Sequence, residues 1–418
     1  MKKQKFHAYL VGGLAYGDEG KGATVDFLVR QRQAGLVVRY NGGAQAAHNV
    51  VTPDGRHHTF SQFGSGMFVP GVKTFLSRFM LVNPMNMITE AMALKKVGVT
   101  DALARTFVED EAVVMTPFQR AINRLEELGR GKNRHGSCGM GIGHTKQDYL
   151  RYGKKVLFMG DLKSEQLTRE KLMFLQKVNR EKLDTIPNIE DLSEEFRYLD
   201  YFETLNDYRA VDHWWTVLST NCKAIQVVKR GFLDDLMEEN RVVVFEGAQG
   251  ILLDQLYGEE DHNTWTDCTF NNALTLLYDP WWTGEITKIG VLRPYMTRHG
   301  DGPFRTENKT LKFEEPHNLT GTFQGPMRYG YLDIPYLKYG MMALMRDHTG
   351  IIALNHLDQM KSADKIVEYV QEHFGLQVGI VGYGPTADNK FWRRDDRQRD
   401  GAKDDGGTQL LSNRRVAG

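Results

Sequence analysis

Residues 7–14, His-Ala-Tyr-Leu-Val-Gly-Gly-Leu, form a short apolar run ending in glycines, and helical spacing follows from Thr24 to Arg32. A run of that length closed by glycine predicts a buried strand entering a turn. Val37-Val38-Arg39-Tyr40 predicts a second strand, ending at Gly42-Gly43. Strands joined through a helix run parallel, so this opening predicts an α/β fold whose loops hold ligands at the strand C-termini. Val242–Phe245, Ile351–Leu354 and Val378–Val381 predict further strands of the same sheet. Residues 160–240 are charged and helix-prone with one proline, Pro187, which predicts a helical insertion. No internal repeat or Pro/Gly/Ser-rich linker interrupts the chain, so a single domain is expected over 1–392, followed by a mixed-charge, frayed tail. The Met80–Met92 stretch predicts a packed helix, and Trp214-Trp215 and Trp281-Trp282 predict core or interface aromatics.

Lys+Arg and Asp+Glu both count 53 in the 418 residues. That balance offers no sign of a nucleic-acid or membrane partner, so any phosphate chemistry must come from a local positive site. The three cysteines, Cys138, Cys222 and Cys268, form no CxxC pair and no zinc-like spacing with histidine. A disulfide framework is therefore not expected, and a reducing cytoplasm is. The N-terminal residues run straight into the first strand with no signal-peptide apolar region, and no apolar run is long enough to span a bilayer.

Gly17-Asp18-Glu19-Gly20-Lys21-Gly22 lies between the first strand and the helix. Glycine lets backbone N–H groups approach a phosphate, the helix N-terminus adds partial positive charge, and Lys21 adds a point charge. The residue after Lys21 is glycine, so the hydroxyl that a Walker A loop offers to Mg²⁺ is missing. Taken alone, the segment favours a phosphate loop over the alternative of a tight strand–helix turn.

Three more motifs change that balance: Arg39-Tyr40-Asn41-Gly42-Gly43-Ala44-Gln45-Ala46-Ala47-His48, Gly136-Ser137-Cys138-Gly139-Met140-Gly141-Ile142-Gly143, and Phe245-Glu246-Gly247-Ala248-Gln249-Gly250-Ile251-Leu252-Leu253-Asp254. In order and spacing the set resembles the adenylosuccinate synthetase family, which carries GDEGKGK, RxxGGxNAGHT, GTTGxGIGPA and FEGAQGxxLD. Thr297-Arg298-His299-Gly300-Asp301-Gly302-Pro303-Phe304-Arg305-Thr306-Glu307 resembles that family's TRVGAGPFPTE, and Gly382-Tyr383-Gly384-Pro385 its STGP. The resemblance covers roughly residues 7–390. It implies a large, mainly parallel central sheet with helices on both faces, and a ligase that joins L-aspartate to C6 of a purine monophosphate through a 6-phosphoryl intermediate.

The resemblance also implies roles. Asp18 falls on the base that removes the N1 proton and on a Mg²⁺ ligand, together with the backbone carbonyl of Ala47. His48 falls on the acid that stabilises the departing diphosphate. Gly17, Glu19, Gly20, Lys21 and Gly22, with His356, Asp358, Gly384 and Pro385, fall on the triphosphate site. Asn355-His356-Leu357-Asp358 resembles the family's TKLD, where Asp358 would accept from guanine N1 and N2 and His356 replaces a lysine. Gln45, Ser137, Cys138, Arg151, Gln249 and Thr269 fall on the purine monophosphate site. There Arg151 matches an arginine supplied by a neighbouring subunit, which implies a homodimer with shared sites. Thr320, Gly321, Thr322, Gln324 and Arg328 fall on the aspartate loop.

Departures gather around the substrates. Gln45 replaces an asparagine and Cys138 a threonine. The family's GATTGRRRRTGWLD becomes Thr320-Gly321-Thr322-Phe323-Gln324-Gly325-Pro326-Met327-Arg328-Tyr329-Gly330-Tyr331-Leu332-Asp333, keeping one arginine of four. In the family the first of those arginines also contacts the ribose 2′-hydroxyl, and a site without that donor no longer rewards the hydroxyl. The change, with the short chain after Asp358, is similar to a bacteriophage branch that aminates dGMP and would act in host cytoplasm. Many members of that branch replace the catalytic aspartate with a small hydroxyl residue, whereas Asp18 is intact. The expectation is therefore dGMP with GTP or ATP/dATP. IMP with GTP is the alternative, and a nucleotide-hydrolysing regulator is the reading from another class.

Overall fold

Ten strands hydrogen-bond into one sheet in the order Lys390–Trp392, Val378–Gly382, Ile351–Leu354, Glu285–Leu292, His7–Gly13, Val242–Gly250, Leu36–Arg39, Lys73–Leu76, Thr106–Glu109 and Gln226–Val228. All adjacent pairs are parallel except the last-formed edge, where Lys390–Trp392 runs antiparallel to Val378–Gly382. The computed structural model describes residues 6–133, 135–195, 198–259, 262–278, 283–300, 302–317, 325–347 and 349–393.

The first strand, β1 (His7–Gly13), lies between Val242–Gly250 and Glu285–Leu292, with His7 opposite both Val242 and Glu285. Its apolar run is continuous because both faces are covered. Ala8 and Leu10 enter one hydrophobic cluster, and Tyr9 and Val11 enter another on the opposite face. Val243 and Phe245 against Val244 repeat the division. The helix that follows β1, α1 (Lys21–Arg32), packs Val25, Phe27, Leu28 and Val29 into the second of these clusters. A third cluster sits under the helices Pro117–Gly129, Glu165–Arg180 and Arg209–Asn221.

The expected strands at 7–14, 37–40, 242–245, 351–354 and 378–381 are present within a residue or two, the third extended to Gly250. Lys73–Leu76, Thr106–Glu109, Glu285–Leu292 and Lys390–Trp392 were not anticipated, since each mixes polar and apolar residues in a short span. Within 160–240 helices run as far as Ala224, Gln226–Val228 adds the edge strand of the sheet, and the helix Phe232–Glu239 follows. Within the Met-rich stretch, Pro84–Lys96 is a helix that buries Met87 and exposes Met92. Trp214 and Trp215 pack against the third cluster, while Trp281-Trp282 and the tail beyond Arg393 lie outside the described residues. Among the described residues no helix is long and apolar enough to cross a membrane.

The C-terminal ends of the central strands point the same way. They deliver the 14–20 loop after β1, Gln249, Arg293, Asn355 and Gly384 to one side of the sheet. That is where an open parallel sheet leaves a crevice.

Candidate active site

A cavity of about 1590 Å³ occupies that crevice. Gly17, Asp18, Gly20, Lys21 and Gly22 line one wall, Gln45, Ala47 and His48 the next, and Ser137, Cys138 and Gln249 a third. His356, Asp358, Gly384 and Pro385 line it from the sheet's other half.

The loop after β1 owes its shape to positive φ angles at Gly17 (98°), Asp18 (59°) and Gly20 (92°), the last capping α1. A non-glycine residue there is strained and is kept by surrounding contacts. Glu19 provides them: one carboxylate oxygen accepts from the N–H of Ala15 at 3.0 Å and of Gly17 at 2.9 Å, and the other accepts from Lys21 Nζ at 2.6 Å. The Glu19 side chain is buried and turned away from the cavity, and braces the loop from inside.

Gly22 explains the missing Walker hydroxyl. A Cβ at this position would lie 2.8 Å from Cβ of His48 and 3.0 Å from Oγ of Ser65. Only glycine lets α1 approach the strand His48–Val51 this closely. Gly22→Ala is expected to destabilise the protein by about 1–3 kcal/mol through overpacking, read as a lowered Tm.

His48 begins that strand, and its Nδ1 lies 2.5 Å from Oε1 of Glu246, in the middle of the central strand Val242–Gly250. Glu246 is fully buried and also accepts from the N–H of Ser65 at 2.9 Å and from the Ser65 hydroxyl. Burial alone would raise its carboxyl, but the nearby Arg39 guanidinium, His48 and Ser65 bring it down to about 2. Burial lowers His48 and its bond to Glu246 only partly offsets this, so the free imidazole is neutral. With Nδ1–H donating to the carboxylate, Nε2 is the nitrogen available to a ligand.

The Asp18 carboxylate receives His299 Nε2 at 3.3 Å on Oδ2, and its backbone carbonyl accepts from Arg293 Nε. Arg293 is itself paired with Glu315 and bonded to the Tyr295 hydroxyl at 3.2 Å. Burial would raise Asp18, but His299 first, then Arg293 and Lys21, hold it below the usual carboxylate range.

Gln249, in the left-handed region at φ 63°, is fixed between two threonines, donating to Thr264 Oγ1 at 2.9 Å and accepting from Thr266 Oγ1 at 2.9 Å. Both amide atoms of Gln45 are buried without a protein partner. Native proteins rarely leave such groups unpaired, and in a cavity wall they call for a polar ligand. Burial pushes the Cys138 thiol up, and Ser137 Oγ is engaged by Asn123 Nδ2 at 3.0 Å.

Besides Glu19, three expected residues do not line the cavity. Thr269 turns its hydroxyl to Asp267 Oδ1 at 2.5 Å. Arg328 bonds Glu307 at 2.8 Å and the Gly302 carbonyl at 2.7 Å. Arg151 is exposed at the end of the helix Ile142–Tyr152, its guanidinium 5.3 Å from the Tyr152 ring centre. Thr320, Gly321, Thr322 and Gln324 lie outside the described residues.

No group of three or more His, Cys, Asp or Glu among the described residues could hold a metal by itself. Mg²⁺ does not require one, since it binds through one or two carboxylates with substrate phosphates and water. A partly exposed Asp18 carboxylate beside the exposed Ala47, both on the cavity wall, fits that pattern. The sequence reading missed His299 and Arg293; the signal for His299 was that it stands where the resembling motif carries a valine.

A family model described as adenylosuccinate synthetase matches residues 10–367. The adenylosuccinate synthetase of Halothermothrix orenii is 33% identical over 341 residues, covering 79% of this chain and 73% of the relative. That of Streptococcus sanguinis is 31% identical over 377 residues, covering 85% and 78%. Among solved structures, a fully ligated adenylosuccinate synthetase from Plasmodium falciparum superposes with a TM-score of 0.72 at 19% identity, covering 92% of this chain and 99% of that one. A cyanophage S-2L succinoaminodeoxyadenylate synthetase, bound to dGMP and dATP as an energy donor, gives 0.64 at 17% identity, covering 93% and 95%.

Proposed function

This chain belongs to the adenylosuccinate synthetase family of C–N ligases, and from that premise we propose that its cavity joins L-aspartate to C6 of dGMP at the expense of a nucleoside triphosphate. The observation that carries the proposal is the meeting of Asp18 and His48, from separate segments, in one cavity, each backed by its own charged partners.

A purine 6-oxo group leaves poorly, so it must first be converted to a phosphate ester. Asp18, kept ionised by His299, Arg293 and Lys21, accepts the N1 proton as the 6-oxygen attacks the γ-phosphorus. Charge then builds on the departing diphosphate. The phosphates raise the proton affinity of His48, and Glu246 anchors the imidazole so that Nε2–H meets that charge. Gln249, held by its two threonines, faces the purine 6-position. The amine of aspartate then displaces phosphate from C6. Asp18 and the carbonyl of Ala47 would hold Mg²⁺, whose contribution is to neutralise triphosphate charge.

Support for dGMP comes from the thinned arginine loop and from the dGMP-bound cyanophage enzyme, which shares the fold. The intact Asp18 favours IMP as the second reading. In a homodimer, the exposed Arg151 would serve the partner's monophosphate site. The ligase unit is proposed to span residues 1–392.

Full-length protein incubated with aspartate, one of GTP, ATP or dATP, and one of IMP, GMP or dGMP tests the reading by product mass. An aspartate-dependent succinyl adduct of dGMP is expected. Turnover of IMP alone assigns the second reading, and triphosphate hydrolysis indifferent to aspartate rejects both.

A further inference from the structure

His299 ends the strand Met296–His299, which pairs antiparallel with Met327–Gly330. Both Asp18 and His299 line the cavity, with His299 Nε2 and Asp18 Oδ2 3.3 Å apart. The backbone of Asp18 has little freedom, since its φ is 59°, its carbonyl accepts from Arg293, and Glu19 ties the residues before it. The side-chain torsions are what remain, and the 3.3 Å contact with His299 restrains them. A valine here, as in the resembling motif, would have no donor to offer.

Guanine and hypoxanthine differ in one place that matters to this carboxylate. Guanine carries a 2-amino group beside N1, so it presents two N–H donors side by side, whereas hypoxanthine presents one and a C2–H. A carboxylate has about four lone-pair directions, so an oxygen that accepts from an imidazole can still accept a second donor. Two parallel N–H bonds to one carboxylate are stronger and more geometrically selective than one, provided the carboxylate lies in the plane of the base.

We propose that His299 is a specificity-determining positioning residue: by fixing Oδ2 of Asp18 it sets the carboxylate edge-on, so that a 2-aminopurine monophosphate is bound through N1–H and the 2-amino group together. An intact aspartate alone favours IMP; held by His299, Asp18 reads the 2-amino group as well and still removes the N1 proton. This rests on the ligase reading above.

The test uses full-length His299→Val and His299→Gln, checked for folding by thermal melts. Dissociation constants for dGMP and IMP come from equilibrium titration, and kcat and KM from turnover with aspartate. In His299→Val, dGMP binding relative to IMP is expected to fall about tenfold, with the kcat/KM ratio following it. His299→Gln keeps an N–H donor and is expected to restore most of the preference. Equal weakening of both purines in His299→Val, or an unchanged ratio in a folded variant, overturns the proposal. If His299→Val does not fold, His299→Gln decides alone, and a tenfold loss of preference there overturns the proposal. A wild-type protein that turns over only IMP removes the dGMP reading first, before any variant is compared.

Discussion

Asp18→Asn is expected to reduce ligation by about 10³-fold, within the roughly 10²–10⁴ that a positioned proton acceptor supplies. The amide has nearly the same shape but cannot take the N1 proton, and the His299 imidazole loses an anionic partner. Because the loop is braced by Glu19 and Lys21, triphosphate and purine should still bind within a few-fold of the wild type. The comparison is a single-turnover rate at saturating substrates beside nucleotide affinities. A variant that retains a tenth of the rate would remove Asp18 from the chemistry, and one that loses nucleotide binding would make its role architectural.

The second large effect belongs to Glu246. Glu246→Ala takes the nearby negative charge from the buried Arg39 guanidinium, which keeps its bonds to the carbonyls of Ser61 and Phe63, deletes the acceptor of Ser65, and frees the His48 ring. Removing one partner of a buried pair costs about 3–5 kcal/mol, so a drop in denaturation midpoint should accompany loss of turnover. His48→Ala, by contrast, keeps Glu246 with Arg39 and Ser65 and should lose rate with much less stability. Equal stability losses in the two variants would mean that the carboxylate is not the keystone described.

The same carboxylate sets an acid limit. Its folded value of about 2 lies below the ordinary 4.5, so the unfolded chain binds the proton more readily. Its contribution is complete above pH 4.5, declines as pH falls, and is gone below about 2. Denaturant titrations between pH 6 and pH 3 should therefore show stability falling with acid, and Glu246→Ala should flatten that slope.

Much of this was legible in residue order. Glycine-closed apolar runs announced β1, its neighbour Val242–Gly250 and the crevice at the strand ends, since a strand buried on both faces leaves an unbroken apolar signature. The phosphate loop, Asp18 and His48 were legible because their neighbours are glycines and small residues with few other uses. What stayed hidden depends on contacts between distant segments. Glu19 looks like a ligand residue until its oxygens are seen on Ala15, Gly17 and Lys21. His299 looks like an ordinary substitution until Asp18 is found beside it, although the two stand about two-thirds of the chain apart. Thr269 shows the converse, because a hydroxyl in a suitable motif can still be spent on its neighbour Asp267.

The placement of β1 also bears on how the protein comes into being. Its two flanking partners are Val242–Gly250 and Glu285–Leu292, so β1 leaves the ribosome with no bonded neighbour until Val242 and the residues after it have been made. Pairings of such long sequence separation assemble slowly, because the closing of large loops precedes any reward. Until then β1 is an adhesive apolar ribbon that must be kept from other chains, and a nucleotide can bind only a finished molecule.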